Sequence, residues 1–528
     1  MAICISPNEE PVSSDIYSPY TLTHPRTIEH FESIPNGAYW FKRLLHFENW
    51  SKGMKRQSEI KPVSYSNKHN KTQQFDIIYG GGGLAVIHAA VMSKVYGYRV
   101  CVFDQYHVGY THRDWNISLS EIKKLVEIGL LTETELQTVI AKHYSQGGFI
   151  KFHSDSSSVK SPALWMHDVL DIAIDANSLL ELCRTILSES GNTILDYSTF
   201  KHVTSESNSV TVFIENKNNL VEITAKVFVD SMGAFSPISR YLNPQRHITH
   251  CCPTVGTIAS NYKNGNEPNE VNPEVGEILL TLDDADASGR QLIWEGFPGK
   301  NNSFITYLFF YDEISSTQNK SLLSLYEVFF KEIHQYKKAD INFHIERPLF
   351  GIIPSYLHKS LFQQKRIATQ NIVCLGDSAG LSSPLTYCGF GSFIRNLDRT
   401  TSRLDHYIRS KKTDQKHLSR VSAYESNVSI AANFAQFLVG KDNLPKNAVN
   451  ETMNIILDIL QDLPPTIGVE LFRDTLTWKS YNTLMSTVPK KYPQAYKLLL
   501  RHHGPDGLFW WLANFVGFTL EKIKGKVS

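Results

Sequence analysis

Two glycine-rich motifs, at residues 80–85 and 376–380, constrain the fold of this chain more than any other feature of its sequence. Each motif directly follows a short apolar run, residues 76–79 in the first case and 372–375 in the second, and such runs are typical of buried strands. A strand that enters a glycine turn before a helix is a building unit of nucleotide-binding α/β sheets. Two such units, almost 300 residues apart, predict one doubly wound sheet that holds a single cofactor from both motifs.

The first motif fits the fingerprint of a dinucleotide site, with Gly80, Gly82 and Ala85 at its three small positions. The first glycine makes the turn, the second lets backbone approach a pyrophosphate, and the third small residue lets helix and strand pack. The N-terminus of the predicted helix 85–95 faces the phosphates, where free N–H groups and the helix dipole favour an anion. Asp104 ends the next predicted strand, where an acid accepts hydrogen bonds from an adenosine ribose. A glycine turn without a nucleotide is the alternative for this motif taken alone.

The second motif favours FAD over a nicotinamide cofactor. In FAD enzymes of the aromatic-hydroxylase class, a pair such as Gly376-Asp377 contacts the ribityl and pyrophosphate part of the flavin. Pro384, Gly389 and Gly391 resemble the loop that lies against the isoalloxazine ring in that class. Nicotinamide dehydrogenases have no need of this second element. The alternative is that Asp377 only caps a helix.

Composition excludes several function classes. A net charge of +1 over 528 residues gives no electrostatic basis for binding nucleic acid. Seven cysteines without a C-x-x-C pair and 20 histidines without ligand spacing predict reduced thiols and no metal site. No run reaches the ~18 apolar residues that span a bilayer, and the N-terminus lacks the apolar core of a secretory signal.

The aromatic-rich segment 507–520 bears on where the protein resides. Aromatic side chains favour the boundary between a bilayer and water. We therefore expect a cytoplasmic or plastid protein in peripheral contact with a membrane. A C-terminal helix docked on the protein core is the alternative for this segment.

The predicted fold class is α/β. It combines a doubly wound, aromatic-hydroxylase-like FAD-binding fold with an inserted antiparallel β substrate domain and a helical C-terminal region. The predicted regions are an N-terminal helical extension and linker (1–74), a discontinuous FAD-binding domain (75–110, 170–245 and 360–410), an inserted helical segment (111–169), the antiparallel substrate domain (246–359) and the helical region (411–528).

Glu295 is the candidate acid or base. It lies between Trp294 and Phe297 in a predicted strand of the substrate domain. A carboxyl in apolar surroundings tends to have a raised pKa, which suits a general acid. The alternative is a strand residue that points to solvent while its neighbours point inward.

From about residue 75 onward the chain resembles the CruA/CruP-type lycopene cyclases. Besides both glycine motifs, the likeness includes Trp-Asn-Ile-Ser at 115–118 and Trp-Glu-Gly-Phe-Pro at 294–298, which are not general flavoprotein motifs. The resemblance implies a redox-neutral cyclisation of a carotenoid end. An acid protonates the terminal double bond, the ring closes, and a base removes a proton to leave a β-ionone ring. It also implies reduced FAD, which stabilises the developing positive charge, and Glu295 as the acid/base. The source of the electrons stays open, with NAD(P)H as the candidate reductant.

The sequence departs from this family at residues 110–114, which read Tyr-Thr-His-Arg-Asp in place of the usual Gly-Arg-Glu-Gln-Glu. Three other functions therefore stay open. The first is an FAD-dependent monooxygenase or halogenase, although the halogenase motif W-x-W-x-I-P is absent and Ala176 stands where NADPH-dependent hydroxylases carry glycine. The second is a prenyl or carotenoid reductase acting on an apolar isoprenoid, since residues 376–386 also resemble geranylgeranyl reductases. The third is a flavoprotein that binds carotenoid without converting it.

Overall fold

The fold combines a doubly wound sheet, a second large sheet and a helical C-terminal region around shared apolar cores. The computed structural model describes residues 14–52, 61–66, 73–244, 248–355, 365–381 and 383–525. The predicted α/β class, with a second, mainly antiparallel sheet and a helical C-terminal region, is confirmed.

The doubly wound sheet forms because its central strands are apolar along their whole length. In the strand Phe75–Gly80, Ile77 and Tyr79 contribute to the core on one face of the sheet and Ile78 to the core on the other. Such continuous burial is typical of parallel strands covered on both faces. Across the sheet, the parallel strands lie in the order Ile372–Cys374, Asn219–Asp230, Phe75–Gly80, Val100–Phe103 and Thr193–Leu195. The short strand Ala368–Thr369 pairs antiparallel with the first of them. The helices Ala85–Lys94, Ala176–Glu189 and Leu397–Arg409 cover one face.

An antiparallel meander extends this sheet. It consists of Ser198–Ser205, Val210–Asn216 and the first half of Asn219–Asp230. A further strand, Val63–Tyr65, pairs in parallel with the first of these. The linker predicted within 1–74 therefore contains a strand, which the local sequence does not reveal because its partner lies about 140 residues away. Residues 53–60 and 67–72 of that linker lie outside the described residues.

The second large sheet contains the strands of the predicted substrate domain, and we call it the substrate sheet after that prediction. Its strands run in the order Leu164–Met166, Gly148–Lys151, Gly276–Leu280, Ile293–Pro298, Ser303–Phe309, His250–Tyr262 and Ala339–Ser355, with the short strand Asp312–Glu313 beside His250–Tyr262. The helices Pro25–Ser33, Gly37–Lys52 and Leu322–Tyr336 pack on one face of this sheet. Trp294 points to that face and stacks on Tyr336 at 4.7 Å between ring centroids. Glu295, the next residue along the strand, therefore points to the opposite face.

The inserted segment 111–169 is only partly helical, so its prediction needs correction. The helices Leu119–Ile122, Lys124–Glu127 and Glu133–Val139 are present, and the last begins with a capping box at Thr132. Four strands of this segment were not predicted. Trp115–Ile117 and Ile140–His143 pair with Ile172–Ile174 in a small third sheet, and Gly148–Lys151 and Leu164–Met166 extend the substrate sheet. The strands are three or four residues long, too short for a periodic pattern to identify.

The C-terminal region is helical and packs against the same side of the substrate sheet as Ile293 and Phe297. Its helices are Gln415–Leu418, Ser426–Ala435, Ala448–Gln461, Pro465–Phe472, Trp478–Lys491 and Ala495–Ile523. The last helix is kinked at Gly504, where φ is +63°, directly before Pro505. In the described part of the chain, no helix is both long and apolar enough to cross a bilayer.

Candidate functional site

The register of the doubly wound sheet brings the two glycine motifs together. Asp230 pairs with Gly80 on one side and with Cys374 on the other, so the strands before both motifs end at the same level. Phe103 pairs with Gly80, which places Asp104 one position beyond the same edge. Loops at the carboxyl ends of parallel strands are where α/β sheets bind ligands.

The turn of the first motif depends on Gly81 as well as on the predicted Gly80 and Gly82. Gly81 has φ of +109°, and a Cβ there would overlap the carbonyl oxygen of Ser231. A Cβ at Gly80 would lie 2.9 Å from the ring of Phe228. Sequence reasoning assigned the turn to Gly80 and missed Gly81, although the run of four glycines contained the signal. The turn then enters the helix at Ala85, which is buried as the fingerprint requires.

Asp104 holds the first motif in place. Its Oδ2 accepts a hydrogen bond of 2.6 Å from the backbone N–H of Gly82, and its Oδ1 accepts one of 2.8 Å from that of Tyr106. Burial raises the pKa of Asp104, and the two backbone hydrogen bonds oppose that shift. A Cβ on Gly82 would lie 2.9 Å from the Cβ of Asp104. Because Gly82 has no side chain, the carboxylate of Asp104 can reach the turn.

The second motif forms the short 3₁₀ turn Gly376–Ser378. Gly376 has φ of +64° with open space where a Cβ would lie. Burial raises the pKa of Asp377, opposed by the positive charges of Arg113 and Lys365. Lys365 is itself buried, which lowers its pKa to about 8, and it donates a 2.8 Å hydrogen bond to the carbonyl of Ser378.

The loop after this turn ends in the helix Gly389–Arg395. Pro384 is buried in the loop, and Gly389 lines a cavity together with Asp377. A Cβ on Gly391 would lie 3.2 Å from the sulfur of Cys388. The helix that follows the second motif begins at Gly389, and a loop separates it from Gly376-Asp377.

One cavity of about 250 Å³ connects both motifs with the substrate sheet. Leu84, which directly precedes the helix Ala85–Lys94, lines the cavity together with Asp377, Gly389 and Glu295. Most of its wall is apolar or aromatic, as in typical small-molecule sites. The apolar and aromatic lining includes Trp115, Leu170, Ile278, Leu279, Phe297, Tyr307, Phe309, Tyr311, Leu349, Phe350, Ile353, Leu385, Tyr387, Phe390 and Phe472.

Glu295 lies in the wall of this cavity. It pairs with Tyr307 across two antiparallel strands, so both side chains lie on the same face of the sheet. In the described part of the chain, no group forms a hydrogen bond with its carboxyl. Burial raises the pKa of Glu295 to about 8. The carboxyl is therefore mostly protonated at neutral pH and can donate a proton to a molecule in the cavity.

Two charged residues of the cavity were missed by the sequence reasoning, Arg113 and Asp114. Asp114 pairs with Arg347 at 2.7 Å, and burial raises the pKa of Asp114 against the effect of that arginine. The guanidinium of Arg113 lies against the backbone of Gly351, where a Cβ would collide with it. The only sequence signal for these residues was the altered run at 110–114.

Trp115 and Asn116, whose role the sequence left open, also line the cavity. Trp115 stacks on Phe390 at 4.5 Å between ring centroids, which ties its strand to the helix after the second motif. Asn116 accepts a 2.8 Å hydrogen bond from the hydroxyl of Tyr144. Both residues thus connect the third sheet with the walls of the site.

The ion pair between Arg347 and Asp114 gives a prediction about stability. Breaking a buried pair by removing one partner typically costs about 3–5 kcal/mol. Because both side chains keep 18% exposure, we expect Arg347→Met to lower the free energy of unfolding by about 2–3 kcal/mol. Urea titration measures this loss. Asp114→Asn combined with Arg347→Met should lose less than the sum of the two single variants, and strict additivity would show that the pair is not coupled.

Comparison with known proteins identifies the fold. No model of a protein family matches the chain, and no curated protein matches it either. A geranylgeranyl bacteriochlorophyll reductase-like protein from Thermoplasma acidophilum has a TM-score of 0.59 at 15% identity, covering 83% of this chain and 99% of its own. A mutant of halogenase PltM in complex with FAD has a TM-score of 0.55 at 13% identity, covering 86% of this chain and 93% of its own. A flavoprotein/dehydrogenase from Cytophaga hutchinsonii has a TM-score of 0.52 at 13% identity, covering 79% and 98%.

At 13–15% identity, these similarities establish the fold alone. The chain has the α/β fold of these flavoproteins along most of its length.

Proposed function

We propose that the chain is an FAD-dependent enzyme. The residues at both motifs fit such a cofactor. A Cβ on Gly83 would meet no atom within 4 Å, so the backbone of the turn is open there to a pyrophosphate, and Asp104 stands at the edge of the turn. Gly376 is equally open on the other side of the site. The first motif would hold the adenosine and pyrophosphate, and Gly376-Asp377 the part nearer the flavin ring.

For the reaction, we propose a cyclase-like conversion of a carotenoid such as lycopene into a product with a β-ionone end ring. The observation that carries this proposal is Glu295, a carboxyl with a pKa of about 8 in an apolar cavity that both cofactor motifs also line. Such a group can protonate a carbon–carbon double bond only if it keeps its proton near neutral pH. The resemblance to CruA/CruP-type lycopene cyclases supports the same assignment.

In the proposed reaction, the proton moves from a carboxyl oxygen of Glu295 to the terminal double bond of the polyene. Ring closure moves the positive charge into the new ring. The carboxylate left on Glu295 takes a proton back from the ring, so the reaction consumes neither protons nor electrons overall. Aromatic faces in the cavity wall, those of Phe297, Tyr307 and Phe309 among them, stabilise the cation. Bound FAD in its reduced form, with NAD(P)H as the reductant, would supply negative charge near that cation.

A reductase that acts on an apolar isoprenoid is the second candidate. The fold shared with a geranylgeranyl reductase-like protein favours it, and so does the apolar cavity. A reductase would consume NAD(P)H in proportion to product, whereas a cyclase would not. The monooxygenase alternative would consume oxygen as well.

The experiment that separates these functions is expression in bacteria engineered to accumulate lycopene, followed by chromatography of the pigments. The cyclase proposal expects γ- or β-carotene, which has the mass of lycopene. A product heavier by hydrogen atoms would instead support the reductase, and one heavier by oxygen the monooxygenase. Unchanged lycopene in cells that contain flavin-loaded protein would contradict the cyclase proposal.

Arg113 gives a prediction about the cofactor itself. Its positive charge acts on Asp377 at the flavin end of the cavity, where it would favour the more negative, reduced state of FAD. We expect Arg113→Gln to lower the reduction potential of bound FAD by about 30–60 mV. Spectroscopic titration against a reference dye measures this change. Arg113→Lys keeps the charge and should keep most of the potential, and an unchanged potential in Arg113→Gln would contradict the prediction.

A further inference from the structure

The last helix, Ala495–Ile523, presents two different faces beyond its kink. One face packs on the helix Ser426–Ala435. There Trp511 contacts the ring of Phe434 at 5.5 Å between centroids and donates a 2.7 Å hydrogen bond to the hydroxyl of Tyr481. The other face is exposed and carries large apolar side chains. We call this face the apolar stripe; it consists of Phe509, Leu512, Val516, Leu520 and Ile523.

The members of the apolar stripe are 42–75% exposed. Their spacing of three and four residues places them on one side of the helix, over a length of about 22 Å. The described residues contain 15 exposed large hydrophobic side chains, and seven of them lie on this one helix. Single exposed apolar residues are ordinary, but a contiguous row marks a surface that contacts something else.

Charge around the apolar stripe identifies the kind of partner. Residues 490–525 contain six Lys or Arg and two Asp or Glu, a net charge of +4 against +1 for the whole chain. Basic side chains flank both ends of the stripe, Lys497 and Arg501 before it and Lys522 and Lys524 after it, and all four are exposed. Trp510 lies beside the stripe and is half-buried. An apolar row with basic ends and an adjacent tryptophan is typical of a helix that lies in the interface of an anionic bilayer.

We propose that the apolar stripe inserts into the surface of a bilayer that contains anionic lipids. The apolar side chains enter the boundary of the acyl chains by about 5–10 Å, and the flanking Lys and Arg side chains contact lipid phosphates. The helix lies along the surface and does not cross the bilayer. This inference stands apart from the proposed reaction, because it uses no residue of the cavity.

Vesicle flotation of the purified full chain tests this proposal. The probes are phosphatidylcholine vesicles with and without phosphatidylglycerol. We expect the protein to float with the anionic vesicles and to bind the neutral ones more weakly, with binding that decreases as salt increases. Leu512→Gln combined with Val516→Gln should weaken binding by at least about tenfold. Both side chains are exposed, so the double variant should keep its melting temperature.

Leu220→Gln is the matched control, because Leu220 is 66% exposed and lies on a strand of the doubly wound sheet, outside the helical C-terminal region. It should bind vesicles like the unmodified chain. No binding of the unmodified chain to anionic vesicles would overturn the proposal. The proposal would also be overturned if the chain is a dimer in sedimentation analysis and the double variant is a monomer with unchanged vesicle binding. The apolar stripe would then be an interface between two copies. Neither carotenoid nor flavin enters these measurements, so their outcome is independent of the proposed reaction.

Discussion

Glu295→Gln is expected to abolish the cyclisation, with a turnover lower by about 10²–10⁴-fold. Glutamine keeps the size and the polarity of the side chain but has no proton to give to a double bond. Turnover is measured as ring-containing pigment formed by the purified, FAD-loaded and reduced enzyme. Glu295→Asp retains a carboxyl that is one methylene shorter, so it should retain part of the activity. The matched control is Glu346→Gln, an exposed carboxyl on the strand Ala339–Ser355 of the same sheet, which should remain fully active.

The pH dependence of the unmodified enzyme should report the same group. Burial raises the pKa of Glu295 to about 8, so the proton donor is present below that pH and activity should decrease as the pH rises through it. Activity that stays constant well above about pH 8 would argue against Glu295 as the acid. Full activity in Glu295→Gln would exclude it.

Stability separates loss of the acid from loss of the fold. The folded state binds the proton of Glu295 more tightly than the unfolded chain does, because the pKa is raised from 4.5 to about 8. The stabilising contribution of this carboxyl is therefore complete below about pH 4.5 and is lost as the pH rises through about 8. Glu295→Gln removes that loss, so the variant should melt at a higher temperature than the unmodified chain above about pH 8. An inactive variant that is also less stable there would indicate damage to the fold.

The doubly wound sheet could be predicted from the sequence because its signals are local. The strand predicted at 76–79 is Phe75–Gly80 in the structure, and the helix predicted at 85–95 is Ala85–Lys94. An apolar run and a glycine turn need no distant partner to be recognised. The location of Glu295 in a strand of the substrate sheet was predicted for the same reason.

The walls of the cavity could not be predicted in the same way. Arg113 and Asn116 come from the inserted segment, and they reach the site only because short strands of that segment pair with strands farther along the chain. Gly148, for example, pairs with Gly276. Register between distant strands is set by packing of the whole sheet and leaves no mark in a run of three or four residues. The sequence therefore predicted where Glu295 and both glycine motifs lie but not the residues that surround them.

Gly81→Ala is expected to weaken FAD binding by at least about 100-fold, which corresponds to about 2.7 kcal/mol. Gly81 has φ of +109°, and an added Cβ would overlap the carbonyl oxygen of Ser231. The turn must then move away from the strand Asn219–Asp230, and with it moves Gly82, whose N–H is held by Asp104. Flavin fluorescence titration of the apoprotein measures the dissociation constant.

Gly97→Ala is the matched control. Gly97 also has a positive φ, +76°, but a Cβ there would meet no atom within 4 Å. Gly97 follows the C-terminal end of the helix Ala85–Lys94, and the glycine turn lies at the other end of that helix. The control therefore carries the strain of alanine at positive φ, about 1–2 kcal/mol, without displacing the turn, and its FAD affinity should equal that of the unmodified chain.

A second variant keeps the test decisive if Gly81→Ala fails to fold. Asp104→Asn keeps the size of the side chain and one oxygen for the N–H of Gly82. Its amide nitrogen cannot accept from the N–H of Tyr106, and the variant lacks the carboxylate that would accept from a ribose hydroxyl. It should fold and bind FAD roughly tenfold more weakly, about 1.4 kcal/mol, as expected for one lost charge-assisted hydrogen bond. Unchanged FAD affinity in both Gly81→Ala and Asp104→Asn would mean that the first motif does not hold the cofactor. The first motif would then serve packing alone, and the proposed FAD site would have to be built from the second motif.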